Sequence, residues 1–98
     1  MTYLTSALQA FFTDYVHIQR NLTPNTIASY RDTWRLLIKH ICTTTPTTAD
    51  QIRLEDIDRD TVTGFLDHLT RERANTPATR NARLGAIRVL LAHTLPDH

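Results

Sequence analysis

Ninety-eight residues with two glycines and 41% apolar side chains suffice for one core and leave no room for a second domain. No run approaches the roughly 18 apolar residues of a membrane span, and Met-Thr-Tyr-Leu-Thr lacks the basic and apolar regions of a secretory leader, so a cytoplasmic location is expected. A formal charge of +1 is too small to announce a polyanion partner, and the single Cys42 excludes an intrachain disulfide and fits a reducing compartment.

In chain order, Leu4, Leu8, Phe11, Phe12, Tyr15 and Ile18 recur at helical spacing and predict a first amphipathic helix over residues 5–20. Its aromatics belong to the core rather than to a platform for stacked bases. Arg20-Asn21-Leu22 is a short connector, with Asn21 placed to cap the helix end.

The most sharply marked stretch follows. Thr23 is set to cap a helix, and Pro24 suits the first helical position because it has no N–H to leave unpaired. Ile27, Tyr30, Trp34, Leu37, Ile38 and Ile41 then form one apolar arc, predicting a helix over 24–42. Arg31, Arg35 and Lys39 flank one edge of the arc at i, i+4 steps. Thr26, Ser29, Thr33 and His40 form an uncharged polar strip on the other edge.

Thr43 to Asp50 breaks the helical period with β-branched threonines and Pro46, and reads as a surface loop. Ile52, Leu54 and Ile57 are expected to dock its exit on the core. Asp58 or Asp56 caps a third helix over 58–72, with Val62, Phe65, Leu66 and Leu69 as its stripe and an acidic first turn that suits the helix dipole. Gly64 in its middle predicts a close helix contact. Thr76-Pro77-Ala78-Thr79 then repeats the opening Thr23-Pro24-Asn25-Thr26 and starts a fourth helix over 77–93. Leu84, Ile87, Leu90 and Leu91 supply its stripe, with Ala82, Gly85, Ala86 and Ala92 permitting close approach. No segment reads as a strand, so the fold class is all-α, a bundle of four helices.

Charge is unevenly spread along this plan. Glu55, Asp56, Asp58, Asp60 and Asp67 face Arg59 alone, whereas Arg71, Arg73, Arg80, Arg83 and Arg88 face Glu72 alone. Lys39 is the one lysine among eleven cations, and arginine suits bidentate contacts to phosphate and guanine. A basic side and an acidic side follow if the third helix lies apart from the two Thr-Pro helices. His17, His40, His68, His93 and His98 show no metal-ligand spacing, and there is no glycine-rich phosphate loop or Ser/His/Asp arrangement. Neither a metal, a cofactor nor catalysis by this chain is expected.

Three blocks in order carry a resemblance: Leu22-Thr23-Pro24-Asn25-Thr26-Ile27-x-x-Tyr30-Arg31; Leu54-Glu55-Asp56-Ile57 ahead of Val62-x-x-Phe65-Leu66-x-x-Leu69; and Thr79-x-Asn81-x-Arg83-Leu84-x-Ala86-Ile87-Arg88. Together they resemble the N-terminal core-binding domain of phage integrases and tyrosine site-specific recombinases, over about residues 4–95. The resemblance implies a SAM-like bundle spanning 1–98. It also implies duplex DNA clamped between this domain and a following catalytic domain, with the second and fourth helices against the DNA and a recombinase oligomer assembled on it.

On this basis Asn25, Thr26, Arg31 and Arg35 on the second helix are expected DNA contacts. Thr79, Arg80, Asn81, Arg83 and Arg88 are their counterparts on the fourth. The family's catalytic arginine, lysine, His-x-x-Arg pair and tyrosine belong to the domain that follows, so the chain is expected to be a non-catalytic piece of a recombinase. His17-Ile18-Gln19-Arg20 matches His-x-x-Arg by letter only, since it precedes the other elements. The rival expectation is a SAM-like protein-interaction module whose acidic third helix meets a basic partner.

Overall fold

The computed structural model describes residues 2–15, 23–73 and 76–94 and is all-helical, as the SAM-like bundle requires. We number its helices α1 (Leu4–Ala10), α2 (Pro24–Thr44), α3 (Arg59–Arg73) and α4 (Pro77–Thr94). Among the described residues there is no strand. Short 3-10 turns at Ala49–Gln51 and Leu54–Asp56 shape the crossing from α2 to α3.

The first helix departs from expectation. It begins at Leu4, and its backbone widens into a π-helical turn over Phe11–Tyr15. Phe11 is fully buried and meets Phe12 edge-on at 5.1 Å, Tyr30 of α2 at 6.2 Å and His93 of α4 at 5.6 Å. The expected continuation over 16–20 and the Arg20-Asn21-Leu22 connector lie outside the described residues, as do Ile18 and Pro96.

The second helix runs two residues past its predicted end. Thr43 and Thr44 turn their hydroxyls back onto the carbonyls of Lys39 and His40, at 2.7 and 2.9 Å, so β-branched threonines extend the helix instead of breaking it. Thr45 ends it by donating both its N–H and its hydroxyl to Ile41. The third helix starts where Asp58 Oδ1 accepts from Thr61 N at 2.8 Å, while Asp56 caps the preceding 3-10 turn through Arg53 N at 2.9 Å.

The core is the intersection of the predicted stripes. Leu4, Phe11, Trp34, Leu37, Phe65 and Leu90 are the large side chains at its centre, and Ile52, Leu54 and Ile57 seal its lower edge as expected. Burying each such side chain contributes about 1.5–3 kcal/mol. A two-rung extended contact also ties the chain start to this edge: Leu4 N donates to Ile52 O at 2.8 Å and Leu54 N to Thr2 O at 2.9 Å, beside the Tyr3–Arg53 bridge.

Gly64 does not mark a tight helix crossing. A Cβ built at Gly64 or at Gly85 meets no atom within 4 Å, so neither glycine is required by close packing.

Candidate nucleic-acid interface

Both Thr-Pro signals form the same cap. Thr23 Oγ1 accepts from Thr26 N at 3.1 Å and lies 3.0 Å from the Thr26 hydroxyl. Thr76 Oγ1 accepts from Thr79 N at 3.2 Å and lies 3.1 Å from the Thr79 hydroxyl. The sequence repeat is therefore a structural repeat: two prolines at the first helical position, each with a pair of threonine hydroxyls one turn apart. Asn25 stays exposed beside the first cap and Asn81 one turn beyond the second.

A shallow groove of about 430 Å³ separates the first turns of α2 from the middle of α4. Asn25, Thr26 and Ser29 line one wall with amide and hydroxyl groups. Ala82, Gly85, Ala86 and Val89 line the other with short apolar side chains, and Tyr30 of α2 borders the groove.

The arginines sort differently from the sequence expectation. Arg83 is only 17% exposed along its side chain and is held between helices: Nη1 donates to Thr33 Oγ1 at 2.9 Å and Nη2 pairs with Asp32 at 3.0 Å, both on α2. Its Nε is buried with no partner among the described residues. Arg35 also pairs with Asp32, yet at 78% exposure this is a surface pair worth little. Asp32 thus draws together two arginines from different helices. The Arg35 hydrogen bond and then Arg83 hold its carboxyl below the usual 3.8, against the opposing effect of burial.

The remaining cations lie elsewhere. Arg31 stands over the Phe12 ring at 5.6 Å, toward α1. Arg80 donates to Asp67 at 2.8 Å and to Thr70 at 3.1 Å, both on α3. Arg80 and Arg88 line the outer groove between α3 and α4, on the opposite side of α4 from Ala82, Gly85 and Ala86. The structure brings Asn25 and Thr26 to α4, gathers Arg35 and Arg83 on Asp32, and does not unite Arg31, Arg80 and Arg88 with either group.

Two residues were missed as site-forming positions. Asp32 stands in none of the stripes read from the sequence, and Thr33, there part of an uncharged polar strip, is fully buried. Thr33 sits at i+3 from Tyr30 and i−4 from Leu37, which is core spacing, and that signal was available. The third helix does not lie apart from the Thr-Pro helices: it packs along α4, where Asp67 pairs with Arg80, and only part of the expected acidic set gathers away from the arginines. Glu55, Asp56, Asp58 and Asp60 rim a separate cavity of about 470 Å³ at the far end of α2, beside His40 and Gly64. Among the described residues no group of three or more His, Cys, Asp or Glu side chains is placed to hold a metal ion, and no helix is long and apolar enough to cross a membrane.

The family model described as phage integrase, N-terminal SAM-like domain matches residues 8–95. Two curated relatives come from Sinorhizobium fredii (strain NBRC 101917 / NGR234), and both carry the name integrase/recombinase. One, y4rD, is 46% identical over 90 residues, covering 92% of this chain and 32% of the relative. The other, y4rC, is 34% identical over 98 residues, covering 97% of this chain and 30% of the relative. The chain therefore spans about a third of the length of the curated relatives it matches. No solved structure matches it. The helical bundle, the ordered motif blocks and the family match over nearly the whole chain agree: it belongs to the family of phage integrase N-terminal SAM-like domains.

Proposed function

We propose that this domain binds double-stranded DNA as the non-catalytic, core-binding part of a tyrosine site-specific recombinase. In that role it works in the cytoplasm beside a catalytic domain of the same enzyme and within an oligomer formed on the recombination site. The observation that carries the reading is the groove between α2 and α4. Its α4 wall is Ala82, Gly85, Ala86 and Val89, so a sugar-phosphate ridge meets only short side chains there, and its α2 wall offers Asn25, Thr26 and Ser29 as hydrogen-bonding groups beside Tyr30.

Within the expected contact set the roles divide. Asn25, Thr26, Thr79 and Asn81 approach the backbone near the two helix starts, where unpaired N–H groups and positive dipole ends favour phosphate. Arg31 and Arg35 supply exposed charge along α2. Arg83 and Arg80 act as positioning residues, since their guanidinium groups are engaged by Asp32 and Asp67. Binding is electrostatic docking with modest readout of sequence, and selectivity comes from the complete clamp.

Fluorescence anisotropy with a labelled duplex about three helical turns long tests this. Micromolar or weaker binding is expected, with log K falling by about 0.9 per neutralised phosphate for each log unit of salt. Gly85→Leu fills open space rather than core, so it is expected to keep the fold and weaken the duplex complex at least about tenfold. Binding that Gly85→Leu leaves unchanged, or no binding at about 50 mM salt, would remove the groove as the contact surface.

A further inference from the structure

On the far side of α4, a second groove of about 380 Å³ runs between α3 and α4, and unlike the first it is bordered by arginines. The floor is apolar: Leu66 and the half-buried Val62, Leu84 and Leu91. Exposed Arg59 on α3 and Arg88 on α4 stand on opposite walls, and among the described residues neither has a hydrogen-bond or ion-pair partner; Asp58, the one carboxylate lining the groove, is taken up by the N–H of Thr61. Arg80 closes one end, fixed there by Asp67 and Thr70.

We infer that this groove is a docking site for an amphipathic α-helix whose apolar stripe is flanked by acidic residues. The two antiparallel helices leave a trough from Arg80 to Leu91 about 16 Å long at 1.5 Å per residue, enough for about three turns of a third helix. A helix fits where a strand does not, because the walls are helical and offer no unpaired backbone to extend a ladder. A duplex reaches Arg59 and Arg88 only by laying its charged backbone over Val62, Leu84 and Leu91, which strips water from that backbone and offers it no partner along the floor. The two unpartnered guanidiniums choose the sign of the partner's flanks, and glutamates one turn to either side of the stripe meet them across the walls. Arg88, expected from sequence among the DNA contacts, belongs to this surface. The inference is independent of the DNA reading, which concerns the opposite side of α4.

The test is an NMR titration of the ¹⁵N-labelled chain with two synthetic helices of about 14 residues, identical in their leucine stripe and carrying glutamate or lysine beside it. The glutamate helix is expected to shift the amides of Val62, Leu66, Leu84 and Leu91 saturably. Its affinity should drop at least about fivefold in Arg59→Glu/Arg88→Glu, a variant that touches only exposed side chains, and similarly at about 0.5 M salt. Equal shifts with the lysine helix, or none with either, overturn the proposal. So does a duplex that shifts these four residues and displaces the peptide. Concentration-dependent dimerisation that protects the groove before any peptide is added also overturns it, because the occupant would then be a second copy of the chain.

Discussion

Arg83 on α4 donates through Nη1 to the buried hydroxyl of Thr33 on α2, and that hydroxyl in turn donates to the carbonyl of Ser29 at 2.9 Å. The two donors in series join helices whose contact residues are fifty positions apart, in a site almost closed to water. Arg83→Ala is expected to cost about 2 kcal/mol in urea unfolding, because Asp32 and Thr33 each lose a partner. Arg83→Met keeps the stem that covers the core and is expected to lose about half as much. Losses under about 0.5 kcal/mol in both variants would show that the series contributes only geometry.

Stability should fall on mild acidification. His40 on α2 lies 5.1 Å, ring to ring, from His68 on α3 and 5.7 Å from Phe65. Burial, and then the neighbouring His68, push its pKa below the usual 6.5. The unfolded chain takes up a proton near pH 6.5 that the folded chain refuses, so stability is full above that value and declines as pH falls toward the depressed folded pKa. The urea midpoint is expected to drop between about pH 7.5 and 5.5, and His40→Phe to flatten the dependence. Asp32 and Asp58, with carboxyl pKa values held below 3.8, act in a lower window and leave this interval unaffected. A midpoint that rises with acid would contradict the assignment.

Gly64→Ala and Gly85→Ala are each expected to stabilise the chain by about 0.5–1 kcal/mol. Both positions are helical, and the added methyl group meets nothing within 4 Å. Thermal unfolding resolves the change, since 1 kcal/mol moves the midpoint of a domain this size by about 4–8 °C. A loss at Gly64 would restore the close contact that the sequence suggested.

The paired caps should respond alike. Thr23→Ala and Thr76→Ala each remove a hydroxyl that accepts from the third residue of its helix, at about 1 kcal/mol apiece. Serine at either position keeps the acceptor and is expected to recover most of the loss. Circular dichroism during urea unfolding measures both, and unequal costs greater than about twofold would end the claim of equivalence.

The parts legible in the sequence were those decided within one turn of chain. Thr23 and Thr76 cap as read, and of the two candidates Asp58 and Asp56 it is Asp58 that caps α3, because a cap needs only residues three positions apart. Trp34, Phe65, Leu69 and Leu90 are buried as read, because helical spacing gathers them whatever they face. What escaped depends on partners far along the chain. Thr33 is buried polar only because Arg83 arrives from α4, and Arg80 is engaged only because Asp67 stands opposite it on α3. The threonines after Cys42 looked like helix breakers by composition, yet their hydroxyls return to the preceding turn. Arg80 and Arg88 fall on the same side of α4 by spacing alone, but which neighbour covers that side is a property of the assembled bundle.

The extended rungs between Thr2, Leu4, Ile52 and Leu54 set an order of events during synthesis. Their two halves are about fifty residues apart, so the opening segment leaves the ribosome long before its partner exists, and docking of α1 must wait until the crossing to α3 has been made. Until then the aromatic face around Phe11 is uncovered, which makes α1 the part of this bundle most in need of a chaperone while it is being made.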